Sequence, residues 1–159
     1  MHHSTDDRYN LRFLVTTVSD TRTESTDVSG VRMLEFLHSS GRIATRCLVP
    51  NIEKDIVGVL EENSSKADVF IFIGGTGLSR KDLTSRTLRK ISDKEVTGFG
   101  EAFRSRSSVE EIHAILSDAS MFVLQGKIIF SLPGSLDAQK TAFGIINEII
   151  DHAYHEIMK

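Results

Sequence analysis

Gly74-Gly75-Thr76-Gly77 follows directly on the apolar run Val69-Phe-Ile-Phe-Ile73. Consecutive glycines let a backbone approach a ligand closely, and their N–H groups can then face phosphate or carboxylate oxygens. The run is neither a Walker loop, which closes on Gly-Lys-Ser/Thr, nor a GxGxxG dinucleotide fingerprint. Taken alone it fits a tight turn equally well. Just downstream, Ser79-Arg80-Lys81-Asp82-Leu83-Thr84 offers two cations that could neutralise phosphates. Asp82 could cap the next helix or hold Mg²⁺, which takes oxygen ligands from one or two carboxylates and from substrate phosphates. Ser135 follows Pro133-Gly134 and opens a helix, where unpaired N–H groups can meet an anion. The same serine also serves as an ordinary N-cap. Ser19, Asp20 and Arg22 form a further polar group, in which Asp20 and Arg22 could simply pair with each other.

Other chemistries find less support. No pattern points to a side-chain nucleophile. His152 and His155 share a helix face, but a metal site needs a third ligand, and a solvated face accounts for them. Arg104, Arg106, Glu110 and Glu111 also read as solvated, with Arg104 able to face a pocket. Cys47 is the single cysteine and sits in an apolar stretch, where a packed thiol is expected.

The elements that must position these groups follow from hydrophobic periodicity. Leu11–Val18, Ile43–Val49, Val69–Ile73 and Lys127–Leu132 are short apolar, β-branched runs that read as buried strands. Arg42 and Arg46 interrupt the second polar-wise, and Pro50 ends it. Between strands, helical spacing recurs at Val31, Leu34 and Leu37, with Ser29 as cap and Gly41 as stop. It recurs at Ile52, Ile56, Val59 and Leu60, and again over Leu83–Ile91. Glu95–Ser108 reads as short helix and loop, and Glu110–Leu116 as a short helix. Ala138, Ala142, Ile146, Ile150 and Ile157 mark a long closing helix. The alternation predicts an α/β fold of three layers, a mainly parallel sheet with helices on both faces. Ligands of such sheets bind outside the carboxyl ends of the strands. The polar loops 19–30, 74–84 and 133–137 leave such ends, and a fourth loop starts at Pro50.

Composition bounds the setting. A chain of 159 residues predicts one domain, over 11–159, preceded by a mobile tail at 1–10. A net charge of −3 argues against a broad nucleic-acid surface. No stretch approaches the roughly 20 apolar residues of a membrane span, and a lone cysteine suits a reducing compartment. A cytoplasmic protein with neither nucleic-acid nor membrane partners is expected.

Five motifs in order resemble the molybdenum cofactor biosynthesis protein B and molybdopterin adenylyltransferase family. They are Val18-Ser-Asp-Thr-Arg22, Asp27-Val-Ser-Gly30, Gly74-Gly-Thr-Gly-Leu78 with Asp82 and Thr84, Gly98-Phe-Gly-Glu101 with Phe103-Arg104, and Leu132-Pro-Gly-Ser135. The resemblance implies a molybdopterin-binding fold, assembled as a trimer or hexamer, and adenylylation of molybdopterin with ATP and Mg²⁺. It implies that Gly74, Gly75, Thr76 and Gly77 cradle a phosphate-bearing ligand, that Asp82 is catalytic and holds Mg²⁺, and that Ser19, Asp20 and Arg22 line the nucleotide side. Pro133, Gly134 and Ser135 then shape the opposite wall, and a serine at Ser107 or Ser108 meets the ligand.

Three departures from the family pattern stand out. Asn51 replaces a carboxylate beside Pro50 and could offer the metal only an uncharged oxygen. The family's Leu-Ser appears as Arg106-Ser107-Ser108. The segment after Ile112 is shortened, and the usual Ser-Arg-Ala reads Ser117-Asp118-Ala119. Asn51 and Asp118 favour a rival reading, a non-catalytic molybdopterin-binding or assembly protein of the same fold.

Overall fold

A computed structural model describes residues 8–159. In chain order it contains β1 (Arg12–Val18), α1 (Val28–Ser39), β2 (Ile43–Val49), α2 (Glu53–Glu62), β3 (Val69–Ile73) and α3 (Thr84–Ile91). These are followed by β4 (Lys94–Glu95), α4 (Thr97–Ser107), a short 3-10 helix (Ile112–Leu116), β5 (Ser120–Leu124), β6 (Lys127–Leu132) and α5 (Leu136–Ile157). The sheet runs β2-β1-β3-β6-β5-β4. The four strands expected from sequence are its parallel part, and β5 and β4 add an antiparallel edge. That edge was not anticipated. Its hairpin turns on Gln125 and Gly126, both at positive φ, the backbone of a two-residue turn.

Alternation along the strands divides the core. Phe13, Val15, Val69, Ile71, Ile73, Ile128, Phe130 and Leu132 face one layer, where they pack with residues of α1, α4 and α5. Leu14, Val18, Phe70, Phe72 and Ile129 face the other, against α2 and α3. Successive strand residues point to opposite faces, so covering both faces requires the near-continuous apolar runs seen in the sequence. The strand order reverses at β1, whose sequence neighbour β2 lies on one side and β3 on the other. Such a switch point opens a crevice at the carboxyl ends, here where loops 19–30 and 74–84 begin.

The two arginines that interrupt the apolar pattern have internal partners. Arg42 is buried and forks onto Asp151 of α5, at 2.7 and 3.1 Å. Arg46 reaches the buried carboxylate of Asp27 at 2.9 Å. Asp27, not Ser29, caps α1: its carboxylate accepts the Gly30 N–H, and Ser29 lies inside the helix, donating to the Gly134 carbonyl. The segment read as short helix and loop contains the 11-residue α4. Of the expected tail, residues 1–7 lie outside the described residues. Its next residues are held: Arg8 donates to the Ser40 carbonyl, and Tyr9 bonds Asp151 and His155.

Candidate functional site at the carboxyl ends of the strands

The β3 strand runs straight into the glycine loop. Gly75 sits at φ +71°, and a Cβ there would lie 2.3 Å from Thr84 Oγ1. Both the backbone conformation and the space demand glycine. Thr84 N–H donates to the Gly75 carbonyl (3.1 Å), Asp118 N–H to the Thr76 carbonyl (2.9 Å), and Gly74 N–H to the Leu132 carbonyl (2.8 Å). The loop is therefore tied to α3, to the start of β5 and to β6. Among the described residues the N–H groups of Gly75, Thr76 and Gly77 have no acceptor. These three residues line an open cleft of about 490 Å³, together with Leu78, Asp82, His113, Leu116, Ser117, Pro133 and Gly134. Free N–H groups on a glycine turn are an anion site in outline.

Asp82 stands beside this turn. A Cβ on Gly77 would come within 2.8 Å of its Oδ2, so the absence of a side chain at 77 is what admits the carboxylate. The expected capping role is not found: Leu83 precedes α3 with no side-chain cap, and Asp82 instead accepts the Ser79 N–H at 2.9 Å. Asn51 is tied to the same turn, donating its Nδ2 to the Lys81 carbonyl while its backbone N–H donates to Asp20 Oδ1 at 2.9 Å. The carbonyl acceptor fixes the amide orientation and leaves Asn51 Oδ1 buried with no donor. An unpartnered amide oxygen on a residue tied to the turn that carries Asp82 is a donor a hard cation accepts, with most of its other ligands supplied by water or phosphate. The donor set therefore fits Mg²⁺ brought with a nucleotide. Among the described residues no group of three or more His, Cys, Asp or Glu side chains is placed to hold a metal ion.

The cleft brings together six of the residues picked out in the sequence: Gly75, Thr76, Gly77, Asp82, Pro133 and Gly134. The others lie outside its lining. Ser19 accepts N–H groups of Thr21 and Arg22, and Arg22 donates to the Thr26 carbonyl instead of pairing with Asp20. Ser135 caps α5 through the Ala138 N–H at 3.1 Å. Ser107 carries a buried hydroxyl without a partner, whereas Ser108 donates to the Ser105 carbonyl. His152 and His155 engage Glu156 and Tyr9, respectively.

Sequence reasoning missed His113 and Ser117. The 3-10 helix brings both to the cleft, and no local pattern signals that. The His113 backbone N–H donates to Glu111 Oε1 and, with His113 Nδ1 2.7 Å from the same oxygen, holds the Glu111 carboxyl below its usual range. The Ser117 hydroxyl is buried without a partner. Arg104 does not reach into the cleft lining: its Nη1 donates to the carbonyls of Ser117 and Ala119. Asp118, the acid that stands where the family pattern has arginine, is also absent from the lining, and Arg89 grips its carboxylate through two 3.0 Å bonds.

Molybdenum cofactor biosynthesis protein B of Halalkalibacterium halodurans is 40% identical over 155 residues, covering 94% of this chain and 91% of that protein. Molybdopterin adenylyltransferase of Pyrococcus furiosus is 36% identical over 149 residues, covering 89% and 88%. The crystal structure of the tungsten cofactor synthesizing protein MoaB from Pyrococcus furiosus superposes with a TM-score of 0.85 at 33% identity, over 96% of this chain and 99% of that one. Residues 14–152 match the family described as "Probable molybdopterin binding domain", and the chain belongs to that family.

Proposed function

We propose that this chain is a molybdopterin adenylyltransferase of molybdenum or tungsten cofactor biosynthesis. A phosphate oxygen of molybdopterin attacks the α-phosphorus of ATP, the α–β bridging P–O bond breaks, pyrophosphate leaves, and adenylyl-molybdopterin forms. One observation carries the reading: a glycine turn with free N–H groups opens on the same cleft as Asp82. The kinship to a protein named molybdopterin adenylyltransferase supports it. Phosphoryl-type transfer asks mainly for positioning and charge stabilisation. The N–H groups of Gly75, Thr76 and Gly77 hold phosphate oxygens. Ser19, Asp20 and Arg22 bound the nucleotide side, Pro133, Gly134 and Ser135 the opposite wall, and Ser107 offers a hydroxyl. Asp82 and Asn51 are the residues that would hold Mg²⁺, whose charge offsets the negative charge developing on the departing pyrophosphate.

Self-association as a trimer or hexamer and a cytoplasmic setting belong to the same proposal. Exposed Val109, Ile112 and Ile115 offer apolar surface for the first, and the single unpaired cysteine suits the second. Asn51, neutral where the family pattern has a carboxylate, favours a second reading: a molybdopterin-binding protein without turnover.

Pyrophosphate release from ATP separates the two, with purified protein, Mg²⁺ and fresh molybdopterin, beside an Asp82→Ala control. Release that needs both the pterin and Asp82 is the expected result. Pterin binding without release would establish the non-catalytic reading.

A further inference from the structure

Arg89, on the outward side of α3, directs its three nitrogens at two carboxylates and a hydroxyl. Its Nε and Nη2 reach Glu95 at 2.7 and 3.2 Å, its Nη1 and Nη2 reach Asp118 at 3.0 Å each, and Nη2 also meets Ser120 Oγ at 3.2 Å. The guanidinium lies 5.6 Å from the centre of the Phe122 ring. The side chains of Arg89 and Asp118 are both 42% exposed, so the pair contributes little to global stability. Its geometry is nonetheless restrictive, since a doubly bidentate guanidinium fixes both partners in plane.

Asp118, which it grips, is anchored through its backbone as well. The Asp118 carbonyl accepts from Ser85 Oγ at 2.6 Å, and that hydroxyl lies 2.8 Å from Ser131 Oγ. The Asp118 N–H donates to the Thr76 carbonyl at 2.9 Å. The Thr76 C=O and the Gly77 N–H belong to one planar trans peptide and point in opposite directions. Holding the carbonyl toward Asp118 therefore aims the Gly77 N–H away from it. A glycine-flanked peptide has little steric reason of its own to stay in one orientation.

We propose that Arg89 is a positioning residue that acts through Asp118 to fix the Thr76–Gly77 peptide, and so the direction of an anion-binding N–H in the cleft. The consequence for anion binding rests on the function proposed above; the orientation of the peptide does not. Arg89 touches no ligand, and its influence passes along one side chain, one backbone segment and one peptide plane.

The test compares Arg89→Met, Arg89→Lys and the isosteric Asp118→Asn with the unaltered full chain. Amide hydrogen exchange at Asp118 and at Ile71 is followed in ligand-free protein, and inorganic pyrophosphate binding is measured with Mg²⁺. In Arg89→Met, exchange at Asp118 should rise roughly tenfold while Ile71, in the buried β3, stays unchanged. Pyrophosphate affinity should fall about fivefold. Arg89→Lys should lie between Met and the unaltered chain, and Asp118→Asn should follow Arg89→Met in direction. Unchanged exchange at Asp118, an equal rise at Ile71, or undiminished pyrophosphate affinity would each overturn the proposal. If the unaltered chain binds no pyrophosphate, the adenylyltransferase reading falls, and the exchange comparison alone decides the role of Arg89.

Discussion

Asp82 and Asn51 approach the same turn with different chemistry. Asp82 brings a charge, and its one hydrogen bond from the Ser79 N–H survives replacement by an amide oxygen. Asp82→Asn should therefore keep the loop in place and lower turnover by about a hundredfold or more, with pterin binding retained. Undiminished turnover would remove the metal-holding assignment. Asn51 has its Nδ2 committed to the Lys81 carbonyl and its Oδ1 buried without a partner. Asn51→Asp gains charge toward a cation but sets a carboxylate oxygen against that carbonyl. Half-maximal turnover should come at a lower Mg²⁺ concentration, and a higher one would mean that anchoring Lys81 outweighs the added charge. Gly75 is the least replaceable position of the cleft. Gly75→Ala would place a non-glycine residue at φ +71° with its Cβ 2.3 Å from Thr84 Oγ1. The left-handed conformation alone costs about 1–2 kcal/mol, and the clash must displace α3 or the loop. Turnover should drop sharply while circular dichroism still reports the full helix content.

At the scale of elements, α1 depends on a buried anion. Asp27 is 1% exposed and receives Thr17 Oγ1, the Gly30 N–H and Arg46 Nη1. It joins β1, β2 and the first turn of the helix. Asp27→Ala removes the cap and leaves Arg46 without its counter-charge, a loss of roughly 3–5 kcal/mol when the pair is this buried. A urea titration should show the midpoint fall accordingly. This cluster also marks where sequence reading stops. Strands β1, β3 and β6 and helix α5 were legible because burial on both faces, or one long stripe, writes a strong pattern. The sequence pointed to Ser29 as the cap; capping preference ranks Ser and Asp equally, and it is the distant contacts with Thr17 and Arg46 that place Asp27 there. The β4–β5 edge is antiparallel; β4 has only two residues, and the apolar run of β5 alone does not separate a strand from a buried helix segment. At the cleft, residues next to each other in sequence were found readily: the glycine loop with Asp82, and the Pro133-Gly134 wall. His113 and Ser117 arrive from a distant segment, and Asp118 takes its meaning from Arg89, 29 positions away. No one-dimensional spacing encodes those meetings.

Three arginine–aspartate forks tie separate elements of the whole molecule together: Arg12–Asp68, Arg42–Asp151 and Arg89–Asp118. Burial pushes each of these carboxyls up, but the arginine hydrogen bonds and charge outweigh it and hold all three below the ordinary carboxylate range. The folded state thus binds fewer protons than the unfolded chain once the pH falls to about 4, where free carboxyls titrate. A depressed folded pKa gives stability that is complete above the unfolded value and is lost as pH drops through the folded one. Unfolding midpoints in urea should be flat from roughly pH 6 to 8 and decline below about pH 4. The three forks should not contribute equally. Arg12 and Asp118 are each more than 40% exposed, so water and salt weaken two of the pairs. Arg42 is 4% exposed, and Asp151 also accepts the Tyr9 N–H at 2.9 Å. Asp151→Asn should therefore lower stability at neutral pH and flatten the acid decline more than Asp68→Asn does. Equal slopes in the two variants would place the acid sensitivity outside the contact that joins β2, α5 and the first described residues.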